Sequence, residues 1–186
     1  MGEFHSVSDL RRKAPFHFLA RAENARDCAR YLSAAPDRSV AFHEGFCREA
    51  SVAIELIIKA MIAQNIEGRR YNAKRPPNSH DVLQMWSQAG LPKLTKGQQR
   101  TLLEFGRILK WAGRYPAPLK DEEYAEYAER EEALVEDPPI PGTLRIRRLE
   151  PLTWERLIDV FELAWHAFWD RRNADRPWDQ SEAKNN

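Results

Sequence analysis

A chain of 186 residues is long enough for one domain with a substantial core and too short for two comfortable ones. Apolar residues at 42% and charged residues at 31% are the ordinary mix of a soluble globular protein, and the chain has no run of about 18 apolar residues with which to span a membrane. With a formal charge of +1, bulk electrostatics do not announce a nucleic-acid binder, so any such function must rest on local patches.

Residues 1–13 are polar and lack the apolar core of a signal peptide, and the expectation, with only two cysteines, is a cytoplasmic protein. Residues 7–35 predict a first helix, or a short piece followed by a longer one, because Pro15 interrupts the pattern. Phe16, Leu19, Ala22 (with Ala25 beside it), Ala29 and Leu32 recur every three or four residues, the mark of one buried face. Pro36 and Asp37 end it. Residues 39–67 predict the central helix, with Phe42, Phe46, Ala50, Ile54, Ile57 and Met61 in one stripe. Between Val52 and Ala63 only Glu55 and Lys59 are not apolar, and a helix apolar nearly all round is buried on most sides.

Residues 68–79 form a basic loop carrying Arg69, Arg70, Lys74 and Arg75, broken by Pro76 and Pro77. Ser79 is placed to cap a short helix through Ala89, with Val82, Leu83 and Trp86 as its face and Gly90 and Pro92 as its stop. Residues 95–112 predict a further helix carrying Leu102, Leu103, Phe105, Ile108, Leu109 and Trp111, stopped by Gly113. Residues 121–134, acidic and rich in Tyr and Ala, fit a surface helix. Residues 137–142 are a connector, and 143–149 alternate weakly as an extended stretch would. Thr153 caps the last long helix, where Trp154, Leu157, Ile158, Phe161, Trp165, Phe168 and Trp169 supply aromatic burial. The fold class is all-α: a single up-and-down bundle of about five helices over residues 1–172, with 173–186 as a polar, flexible tail.

Glu55 and Lys59 stand one turn apart in the favourable order, yet among apolar neighbours. Charges there must be paired or reach water. Either they lock the helix register, with Lys59 snorkelling to solvent, or they line a polar site. His80 and Asp81 lead into the short helix, where an acid suits the helix dipole and the histidine is either a surface residue or faces a cleft. Arg114, after a helix stop, either satisfies its own helix's carbonyls or supplies a cation for Glu55 or for a phosphate. The basic stretches 69–75 and 145–148 are either solvated surface or a groove for phosphates, with Tyr71 available for stacking. Cys28 and Cys47 have no metal-ligand spacing and read as two reduced thiols. No phosphate-binding glycine loop, metal motif or cofactor motif occurs, and no cofactor is expected.

These places carry a resemblance. The string Phe42-His-Glu-Gly-Phe-Cys-Arg-Glu-Ala-Ser-Val-Ala-Ile-Glu55-Leu-Ile-Ile-Lys59-Ala resembles the second helix of the HEPN family (higher eukaryotes and prokaryotes nucleotide-binding), where Glu-x-x-x-Lys-Ala recurs. Ser79-His80-Asp81-Val-Leu is similar to that family's His-Asp-Leu segment, and Trp111-Ala-Gly-Arg114-Tyr115-Pro116 to its Arg-Tyr-Pro element. The order and rough spacing agree across about residues 10 to 170. The resemblance implies a helical bundle that often dimerises. Many members are RNA-cleaving toxins or defence effectors, and others are accessory modules beside nucleotidyltransferases. The nuclease members carry an Arg, four to six residues, then His on the last core helix, and this chain departs from them: His166 has Asp159, Val160 and Phe161 at those positions. The same spacing at Arg12/His17, Arg38/His43 and Arg75/His80 is what chance supplies, and two prolines lie inside the last of these.

The resulting expectation is a HEPN-like module in a bacterial defence or toxin–antitoxin setting. It would bind RNA or a nucleotide through Glu55, Lys59, His80, Arg114, Tyr115, Arg69, Arg70 and Arg75. Partners implied by the resemblance are a second copy of the chain and a nucleotidyltransferase-type protein, with no membrane. One alternative is a metal-independent ribonuclease using His80 and Arg114. The other is a non-catalytic interaction domain whose polar cluster is purely structural.

Overall fold

The computed structural model describes residues 13–36, 39–112, 121–134 and 151–175. Among them all regular structure is helical: α1 Pro15–Ser33, α2 Val40–Glu67, α3 Val82–Gln88, α4 Lys96–Arg107, α5 Asp121–Ala133 and α6 Trp154–Asp175. Pro15 opens α1, since proline at the first helical position loses no hydrogen bond, and the short piece expected before it lies outside the described residues. The buried side of α1 is Leu19, Ala22, Ala25 and Ala29, a stripe small enough to bring it close along α2. Phe16 is 39% exposed, and its ring rests on Phe168 and Trp169 of α6 at centroid distances of 5.9 and 6.0 Å.

α2 is the axis of the bundle. It touches α1, α3, α4 and α6. Nearly every residue from Ala50 to Asn65 is buried, with Ile54, Ile57, Ile58, Met61 and Ile62 fully so. Each such side chain contributes roughly 1.5–3 kcal/mol on burial. Phe105 and Leu102 of α4, Met85 of α3, and Leu157, Phe161 and Phe168 of α6 close around it. No helix among the described residues is long and apolar enough to cross a membrane.

Three local details differ from expectation. The cap of α3 is Asp81 rather than Ser79: the Asp81 carboxylate accepts the Gln84 N–H at 3.0 Å, while Ser79 Oγ accepts the Asp81 N–H at 3.1 Å. After Arg107 the chain continues as a wider π-helical turn, Ile108–Ala112, such as often marks functional sites. α6 runs on through Asp175, whose carboxylate Arg70 grips. Thr153 does accept the Arg156 N–H at 3.4 Å, and Gly90 at φ +64° provides the left-handed stop after α3. Gly106 brings α4 against the start of α3, where a Cβ would lie 3.3 Å from Val82 Cγ2 and 3.5 Å from the His80 carbonyl oxygen. The connector 137–142, the extended stretch 143–149, the stop at Gly113 and the tail beyond Asp175 lie outside the described residues.

Candidate functional site

The apolar run of α2 carries Glu55 and Lys59 into the bundle, each 8% exposed. Lys59 does not snorkel to water: its ammonium donates to Glu55 Oε1 one turn away. The other carboxylate oxygen, Oε2, takes His80 Nδ1 at 2.9 Å. A carboxylate only accepts, so Nδ1 is the donor and Nε2 is left for a ligand. The His80 side chain is 43% exposed, which makes it the outward end of a buried polar triad. The loop holds it there through the Ser79 and Asp81 turn bonds and through Pro76, which is buried.

Beside His80 is a narrow cavity of about 40 Å³, lined with Asp81, Arg107, Lys110, Tyr127 and Arg130 among others. That is room for a water or the tip of a small anion. Arg130 of α5 bonds Asp81 at 2.6 Å and Glu126 at 2.7 Å, so α5 is fastened to the start of α3. The Tyr127 hydroxyl donates to Glu104, which also holds Arg107 at 2.8 Å, and the Arg107 guanidinium lies 5.6 Å from the Tyr127 ring centroid. Burial would raise the Asp81 carboxyl, but Arg130, the Gln84 N–H and the charge of Lys110 outweigh it and hold it below the usual carboxylate range. Burial, then the bond to Glu104 and its charge, push the Tyr127 phenol above its ordinary value. The π turn places Lys110, an exposed cation, on this rim.

The residues expected to converge do so in part. Glu55, Lys59 and His80 meet. Arg69 and Arg75 are exposed and do not line this cavity, and Arg70 belongs to a different cleft, paired with Asp175. Tyr71 packs partly buried against the core instead of standing free to stack. Arg114 and Tyr115 lie outside the described residues, as do 145–148. Arg107, Lys110, Tyr127 and Arg130 were not foreseen. The local pairs Glu104–Arg107 (i, i+3) and Glu126–Arg130 (i, i+4) are the signals the sequence carries, and neither gives a hint of Asp81 or of Tyr127 meeting Glu104. Cys28 and Cys47 are free thiols, and burial raises Cys47 to about 11, so it is no nucleophile at neutral pH. Among the described residues no group of His, Cys, Asp or Glu is arranged to hold a metal ion.

No family model, curated protein or solved structure matches this chain. The functional reading therefore stands on the residues and their geometry, with the motif resemblance beside them.

Proposed function

We propose that this chain is a HEPN-like helical module that binds RNA or a nucleotide, taking a phosphate at the rim formed by His80, Lys110, Arg107 and Arg130. The observation that carries the reading is His80, oriented through Nδ1 by a buried carboxylate at 2.9 Å and half exposed beside cations of two other helices. A phosphate entering the narrow cavity would compete with Asp81 and Glu104 for the arginines, which are well suited to phosphate. The defence or toxin–antitoxin setting, the homodimer and the nucleotidyltransferase-type partner implied by the resemblance belong to the same proposal.

The test is fluorescence anisotropy with a labelled single-stranded RNA across a salt series. Binding is expected at low salt and should weaken steeply as salt rises. His80→Ala and Lys110→Ala should each cut affinity several-fold while the melting temperature stays near that of the wild type. Wild-type protein that binds neither RNA nor nucleotide at low salt overturns the reading.

The ribonuclease alternative has one specific point in its favour: a histidine backed by a carboxylate is a general acid–base arrangement. Metal-independent RNA cleavage, resistant to EDTA and lost in His80→Ala, would establish it. The purely structural alternative is favoured by the burial of Glu55 and Lys59.

A further inference from the structure

Gln64 is 1% exposed, and among the described residues neither its Oε1 nor its Nε2 has a partner at full hydrogen-bonding distance; the amide lies near enough to the Asp175 carboxylate to help hold that acid below its ordinary range. Arg172 Nε is unpaired in the same way, although the other end of that guanidinium holds Glu67 at 3.2 Å. Both residues line one cleft of about 350 Å³, together with Glu67, Gly68, Arg70 and Asp175. That volume falls within the roughly 300–1,000 Å³ of small-molecule sites. Buried polar groups are almost always paired in native proteins, because leaving them unmade is costly. Here two helices each leave one unmet on the same cleft.

The chemistry of the lining narrows the ligand. Its two arginines are matched by its two acids, Arg70 with Asp175 and Arg172 with Glu67, so it has no surplus charge for a phosphate or a cation. What it offers is an amide, donor and acceptor side by side, that only Asp175 approaches, with one further donor at Arg172 Nε. We propose that this cleft binds an uncharged nucleobase, with Gln64 pairing to the N6/N7 edge of adenine and Arg172 Nε donating to a ring nitrogen. Glutamine is the side chain whose geometry matches that edge in two hydrogen bonds, and guanidinium planes such as Arg70 stack on bases. The Gln64 amide is sealed from water, so entry requires the Arg70–Asp175 pair to swing aside. With the Arg70 side chain 45% exposed, that pair is already screened by solvent and yields easily. The site is separate from His80 and does not depend on the reading given above.

The experiment uses the whole chain, adenosine as the probe, and calorimetric titration alongside thermal melts. Wild-type protein should bind adenosine at sub-millimolar concentration and melt higher in its presence. Inorganic phosphate should neither bind there nor compete. Gln64→Leu should weaken adenosine binding at least tenfold, yet melt no lower than the wild type without ligand, because it removes two unpaired buried atoms. Arg172→Lys keeps the charge opposite Glu67 but loses the Nε donor, and should weaken binding in a protein that still folds. His80→Ala should leave adenosine binding unchanged, which separates failure here from failure of the His80 reading. No adenosine binding at millimolar concentration, or equal binding by Gln64→Leu, overturns the proposal. So does a Gln64→Leu protein that melts lower while adenosine has no effect on the wild type, since ordered water then satisfies the amide.

Discussion

Glu55 and Lys59 meet at 8% exposure each, so each is the other's chief compensation for lost hydration. That makes the pair fragile on one side and replaceable as a whole. Lys59→Met should cost about 3–5 kcal/mol in urea unfolding, because Glu55 keeps only the half-exposed His80. The double variant Glu55→Leu with Lys59→Met should recover most of that loss, as apolar replacements of buried pairs commonly do. A double variant as unstable as the single one would mean that the triad is needed to shape the bundle. The pair itself was legible in the sequence, from its one-turn spacing inside an apolar run. That His80 joins it was suggested only by position and resemblance, because no local pattern reports a contact 25 residues away.

The elements divide by how local their causes are. α2 and α6 were readable because their apolar periods are long, and the Thr153 cap because a single hydroxyl serves its own first turn. The cap of α3 was misread because Ser79 and Asp81 both suit the role. What decides between them is that Asp81 reaches the Gln84 N–H while Ser79 turns to Asp81. The π turn after α4 and the docking of α5 were invisible, since both depend on tertiary partners: Arg130 finds Asp81 49 residues upstream. That contact has a pH signature. The Asp81 carboxyl is depressed in the folded state, so its contribution is complete above the unfolded value of about 3.9 and is lost as pH falls through the lower folded value. Asp81→Asn keeps a capping side chain but loses the charge opposite Arg130. It should be less stable than the wild type in urea melts at neutral pH, and the gap should close below about pH 4. A gap independent of pH would show that Arg130 contributes nothing there.

At the scale of the molecule, the aromatic surface of α6 has an internal use. Trp165 Nε1 donates to Glu23 at 2.9 Å, Phe16 covers Phe168 and Trp169, and the Arg172 guanidinium lies 5.0 Å from the Phe16 ring centroid. These contacts tie α1 to α6 across α2. Trp165→Ala should therefore lower stability, on the order of 2 kcal/mol for a half-buried ring, and leave the mass seen by light scattering unchanged. A drop in mass with an unchanged melt would instead make this face a subunit interface. The all-round burial of α2 also matters during synthesis. Of its partners among the described residues only α1 precedes it; α3, α4 and α6 all follow, and α6 begins at Trp154. At roughly 5–20 residues per second, several seconds separate the emergence of Glu67 from that of α6. Throughout that interval the face of α2 that α6 will cover stays open to solvent, even after α3 and α4 have emerged.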